Sequence, residues 1–132
     1  MGVLFAGCGQ GVEGISLQIE RQYLGEITNL KIWVITPQIS DKTINCKDLL
    51  DKKIAFEPSK FITEDKKDLI PDSSEKQDVE FKDLKIGSKL FVAAGYAQTT
   101  AENTPLLLGC QEANIERGVK IFISLFLARY QT

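Results

Sequence analysis

A mainly β, single-domain fold is what this sequence predicts: an antiparallel β-sandwich or small β-barrel with at most one or two short helices. Three observations carry the expectation. Six to eight segments show strand-like alternation or β-branched enrichment, their connections are rich in Gly, Pro, Asp and Asn, and little of the chain offers a convincing helical face. At 132 residues, with 43% apolar and 26% charged side chains, the chain suits one soluble β-rich domain over 1–132.

Taken in order, residues 1–14 form a Gly-rich N-terminal arm or turn, with glycines at 7, 9, 11 and 14. ISLQIERQY (15–23) then alternates Ile15, Leu17, Ile19 and Tyr23 with Ser16, Gln18, Glu20 and Gln22, the period of a strand with one wet face. A helix can also be drawn through Val12, Ile15, Ile19 and Tyr23, but the clean polar face favours strand. LGE (24–26) reads as a turn, and ITNLKIWVITP, β-branched and closed by Pro37, as a second strand placed to form a hairpin with the first.

Residues 41–85 hold twelve acidic and ten basic side chains of closely alternating sign. Within them CKDLLDKK (46–53) suggests a short helical turn, IAFEPSKFI (54–62) a strand interrupted near Pro58, and 63–78 an exposed charged loop. Val79 and Phe81 restart a strand, Gly87-Ser88 marks a turn or bulge, and Leu90–Ala94 is a compact apolar strand. LLLGC (106–110) is a further strand or a buried loop. VKIFISLFLARY (119–130) places bulky apolar groups on both faces, which predicts a central strand covered on both sides, with a buried helix as the alternative.

Composition removes several chemistries. Histidine is absent, and with it the commonest transition-metal ligand and the usual base of a hydrolytic triad. Cys8, Cys46 and Cys110 are odd in number and widely spaced, which argues against a disulfide scaffold or thiolate zinc knuckle and reads Cys46 and Cys110 as small core residues. A net charge of −2 gives no global attraction to nucleic acid. Glu64, Asp65 and Asp68 are interleaved with lysines and read as solvated surface. Ser59-Lys60 and Ser88-Lys89 lack the SxxK spacing of a serine–lysine pair. Lys82, Lys85, Lys89 and Phe91, with Lys31 and Trp33 elsewhere, form a faint basic and aromatic pattern of the kind an oligonucleotide-binding barrel uses.

The stretch VLFAGCGQG (3–11) resembles the first motif of S-adenosylmethionine-dependent methyltransferases through Val3, Leu4, Gly7, Cys8, Gly9 and Gly11. That resemblance implies a loop lying against the cofactor. It spans nine residues and departs at Phe5, where an acid commonly stands, and the second candidate strand ends without the family's ribose-holding acid. A phosphate cradle also needs a helix after the glycines, where this chain has a strand pattern, and no GxxxxGK[ST] is present. The residues before Cys8 resemble the processing site of bacterial lipoproteins but carry no basic leader, and Ala6 stands where a myristoylation signal wants Ser or Thr. No apolar run approaches the ~20 residues of a membrane span, and a cytoplasmic or particle-associated location is favoured.

These features point to a non-enzymatic module that binds a protein partner or forms a homo-oligomer through sheet edges or apolar sheet faces, with no catalytic, cofactor or metal residues assigned. Trp33, Ile35, Phe122 and Phe126 are the candidate interaction residues, because they supply the second apolar face of two strands. The alternatives are a cofactor or nucleotide bound by the Gly-rich loop 7–14, in the manner of S-adenosylmethionine, and an oligonucleotide-binding barrel.

Overall fold

The period-two pattern that begins at Ile15 becomes β1 (Gly14–Arg21), and the β-branched run before Pro37 becomes β2 (Asn29–Ile35). The computed structural model describes residues 14–21, 27–39, 41–71 and 76–130. After β2 come a two-strand ribbon of β3 (Gln38–Ile39) and β4 (Lys42–Thr43), helix α1 (Cys46–Leu50) and a 3-10 turn (Pro58–Lys60). The remaining strands are β5 (Thr63–Leu69), β6 (Lys76–Lys82), β7 (Gly87–Tyr96), β8 (Leu107–Ile115) and β9 (Lys120–Arg129). Seven strands form one sheet in the order β5-β2-β7-β8-β9-β1-β6, curled into a nearly closed barrel. The mainly β architecture expected from the sequence is therefore present.

The hairpin expected between the first two strands is not. β1 pairs antiparallel with β6 and parallel with β9, whereas β2 lies between β5 and β7. Two further corrections fall in the charged segment. Residues 54–62 hold the 3-10 turn rather than a strand, because Pro58 has no N–H for a ladder. Residues 63–69 are strand β5, and 76–78 open β6, so the expected loop over 63–78 is mostly edge strand. Residues 72–75 lie outside the described part of the chain.

The barrel interior is filled by alternate residues from every strand of the seven-stranded sheet but β5, whose Leu69 packs only partly against it. Ile15, Leu17 and Ile19 of β1 meet Val79 and Phe81 of β6, Leu125 and Leu127 of β9, and Leu30, Ile32 and Val34 of β2. Close approach requires glycine at the start of β1, where a Cβ on Gly14 would run into the Phe81 carbonyl oxygen. Inward positions of β5 are occupied differently. The register sets Asp65 opposite Val34 and Lys67 opposite Ile32, and the Lys67 ammonium sits 5.3 Å from the centre of the Phe81 ring.

A second apolar layer lies outside the barrel. Trp33 and Ile35 of β2, Leu90, Val92, Ala94 and Tyr96 of β7, and Leu108 of β8 face outward and are buried under the segment from β3 to the 3-10 turn. Trp33, Phe56 and Phe61 form a mutual edge-to-face cluster with centroids 5.8–5.9 Å apart, a geometry worth about 0.5–1.5 kcal/mol per pair beyond burial. Helix α1 is capped by Asn45, whose side-chain oxygen accepts from the Asp48 N–H at 2.8 Å, and it stops where Lys52 turns to φ +64°.

A disulfide between Cys46 of α1 and Cys110 of β8 ties this cover to the sheet, and the Cys46 N–H donates to the Glu112 carboxylate at 3.1 Å. The two cysteines are thus a covalent clasp between layers, not isolated core residues. Their separation of 64 positions left no spacing signal in the sequence.

β8 and β9 pair only through Leu107 with Arg129 and Leu108 with Ala128. Beyond that point the strands part, and Gly109 marks the place: its Cβ would stand 2.6 Å from the Phe126 carbonyl oxygen.

Replacing Cys46 and Cys110 together by serine is expected to lower stability by about 4 kcal/mol, the chain-entropy value for a loop of this length. Urea unfolding followed by the emission of Trp33 reads the effect, and an unchanged midpoint would remove the clasp from the account. Tyr96 supplies a pH dependence. Burial, and secondarily the Glu102 charge, push its phenol above the ordinary value, and its hydroxyl donates to the Glu102 carbonyl at 2.7 Å. A raised pKa favours the protonated folded form, so its contribution is complete below about pH 10 and lost as pH rises further. Stability should fall above that pH, and less steeply in Tyr96→Phe, as thermal unfolding across about pH 8–11.5 can measure.

Candidate functional site

The outer face of β6, β1 and β9 has no cover of the kind that segment 36–62 gives β2 and β7 among the described residues. Register fixes what stands on it. Ser16 lies between Glu80 and Phe122, Gln18 between Asp78 and Ser124, and Glu20 between Lys76 and Phe126. The face therefore runs from a charged column on β6, through an uncharged and then acidic column on β1, to an aromatic column on β9. Phe122 is 73% exposed and Phe126 53%. They stand four positions apart on β9, about 13 Å along the strand, with Ser124 midway between.

Beside Phe122 lies a shallow cleft of about 400 Å³ lined by Ser16, Gln18, Asp78, Ile123 and Ser124. Gln18 Nε2 donates to Asp78 Oδ1 at 3.5 Å, which orders the cleft's far wall. Lys120 crosses β1 to reach Glu80 Oε2 at 2.5 Å and holds its ammonium 5.8 Å from the Phe122 ring. The hydrogen bond and charge of Lys120 hold the Glu80 carboxyl below the usual carboxylate range.

Of the four residues selected from sequence, the structure separates two pairs. Trp33 is 2% exposed and Ile35 fully buried, both beneath the chain's own cover, so neither is available to a partner. Phe122 and Phe126 are brought together on one open face. β9 is interior to the sheet order, but only its inward side is buried, so the expectation of cover on both faces is corrected. Sequence reading missed Ser16, Gln18 and Asp78 as neighbours of Phe122, because the parallel pairing of β1 with β9 joins distant segments.

The basic and aromatic pattern that suggested an oligonucleotide-binding barrel comes apart. Phe91 and Trp33 are core residues. Lys31 is paired with Glu102 at 3.7 Å, and Lys89 is buried against Glu64 at 2.6 Å. The ring beside Lys31, that of Tyr96 at 5.6 Å, is itself buried and is no platform for a base. For the Gly-rich loop 7–14, residues up to 13 lie outside the described part of the chain. Gly14 begins a strand, so the segment after the glycines is not the helix a phosphate cradle needs.

Glu64 also departs from the solvated-surface expectation. One carboxylate oxygen meets Lys89 and the other accepts from the Lys85 N–H at 2.6 Å. With Thr36, Ile62, Thr63 and Lys85 the pair lines a cleft of about 300 Å³. The two charges compensate each other at the wall of that cleft. Among the described residues no three His, Cys, Asp or Glu side chains converge as a metal site, and no helix is long and apolar enough to cross a membrane. No protein-family model, curated protein or solved structure matches this chain.

Glu64→Ala leaves the buried Lys89 ammonium without its counter-charge and is expected to cost about 3 kcal/mol. Asp68→Ala, at an exposed position of the same strand, should change stability by less than about 0.5 kcal/mol. Chemical unfolding of the two variants side by side makes the comparison, and equal effects would return Glu64 to the solvated surface.

Proposed function

We propose that this chain is a non-enzymatic interaction module that docks a protein partner, another molecule or a copy of itself, on the outer face of β6, β1 and β9, with Phe122 and Phe126 as its anchors. One observation carries the reading: two phenylalanines stand exposed on a single ordered face, while the chain covers its outward Trp33 and Tyr96 with its own segment. Aromatic anchors inside a polar rim are the usual composition of a protein interface. Here the rim is supplied by Gln18, Asp78, Glu80 and Lys120. The non-enzymatic part is supported by the way polar clusters are used, since Glu64 with Lys89 and Lys31 with Glu102 are engaged as ion pairs.

The Cys46–Cys110 bond adds a location to the proposal. Structural disulfides persist in oxidising compartments and are rare in the cytosol, so the bond supports an extracytoplasmic setting over the cytoplasmic one favoured by sequence.

Phe122→Ser with Phe126→Ser removes the aromatic column without touching the buried side of β9. The immobilised wild-type chain is expected to retain a defined partner, itself or another protein, that the double variant loses, with thermal unfolding unchanged. Retention of the same partner by both chains would exclude this face as the docking surface.

A further inference from the structure

Within the seven-stranded sheet, four strands have a long edge, or a long stretch of one, that no other described strand pairs. β5 and β6 end the sheet order, and β8 and β9 part once Leu107 and Leu108 have met Arg129 and Ala128, which leaves β1 as the one described strand paired with β9 from Lys120 to Leu127. These edges are guarded very differently. β5 reads TEDKKDL and turns Asp65 and Lys67 toward the core, and β6 reads KQDVEFK. β8 is polar beyond the parting, where its Glu112 carboxylate is held by the Cys46 N–H. Inward charges and dense charge are the devices by which edge strands resist pairing with other chains. β9 carries no charge from Ile121 to Ala128, and its Ile121 and Ile123 are only half-buried beside the open edge.

We propose that the free edge of β9 pairs with the same edge of a second copy of this chain, antiparallel about a two-fold axis through Phe122. This rests on the reading of β9 as the interaction strand and names its occupant. The Phe126 carbonyl already lies against Gly109, which confines the open edge to about Lys120–Leu125. In a two-fold antiparallel pair, opposed residues share a face, so the axis must pass through a residue. Centred on Phe122, the pairing sets that ring against its copy, Ile121 against Ile123, and Lys120 against Ser124, all within the open stretch. No like charges meet. A second copy fits because an uncharged aliphatic and aromatic strand is complementary to itself, whereas the charged edges of β5 and β6 are not. The product is a six-stranded sheet, β6-β1-β9 continued into its symmetry mate, with backbone hydrogen bonds supplying affinity as in other strand additions.

The test uses the full chain with Cys8→Ser, so that the remaining cysteine forms no crosslinks. Light scattering after size-exclusion chromatography is expected to show the mass rise from 14.7 kDa to twice that value as concentration increases. Alternate amides between Lys120 and Leu125 should become protected from hydrogen exchange in the same range. Ser124→Glu places an acid opposite Lys120 of the copy and should tighten association roughly fivefold, while Ser124→Lys should weaken it by a similar factor, two symmetric cross-strand pairs changing at once. A dimer whose amides stay unprotected, or whose association shifts in the same direction in both Ser124 variants, overturns the edge pairing. A chain that stays monomeric at every concentration also overturns it. If that monomer still retains a different protein through Phe122 and Phe126, the docking face survives and the second copy does not.

Discussion

Because Leu30, Ile32 and Val34 face the barrel interior while Trp33 and Ile35 face the opposite way, β2 buries apolar groups on both of its faces, and its neighbour β7 shares the condition. A single curled sheet can satisfy only one of those faces. The segment between Thr36 and Ile62 exists to satisfy the other: it supplies Ile44, Leu49, Phe56 and Phe61 in positions set by a capped five-residue helix and a proline-started turn. That cover is too short and too irregular to hold itself together by secondary structure. Aromatic packing on Trp33 and the covalent link from α1 to β8 do so instead.

The same layering explains why the molecule has two unlike sides. Over β2, β7 and β8 the outward surface is capped. Over β6, β1 and β9 it presents alternating polar residues and two uncovered rings. Barrel closure is incomplete at two places, between β5 and β6, where Lys67 lies across the Phe81 ring, and between β8 and β9, where the strands diverge after two paired residues. The first opening is plugged by charge. The second is bordered on one side by a strand with no charge from Ile121 to Ala128.

Much of this was legible from side-chain period. β1, β2, β7 and β9 announce themselves through alternation or β-branched runs, and CKDLLDKK suggests the short helix. β5 was hidden because its inward positions are Asp65 and Lys67, so the apolar alternation that marks a strand is missing. Phe56 and Phe61 suggested a strand but serve as plugs of a non-strand cover. For the site, the sequence located Phe122 and Phe126 through the two-sided apolar pattern of β9. It could not distinguish them from Trp33 and Ile35, since the difference lies in which face the chain itself covers. Neither the disulfide nor the Glu64–Lys89 pair has a local signature, as each joins segments far apart along the chain.

The placement of β1 between β6 and β9 has a consequence for how the protein is made. Gly14 pairs with Lys120, so β1, made well before β9, waits while about a hundred further residues are added, on the order of 5–20 s at usual elongation rates. Through that interval Ile15, Leu17 and Ile19 lack the β9 side of their pairing, and such long-range pairing slows folding. The barrel can become complete only when its last strand arrives, so a ribosome that stalls before residue 120 leaves a nascent chain with an apolar N-terminal strand for chaperones to hold.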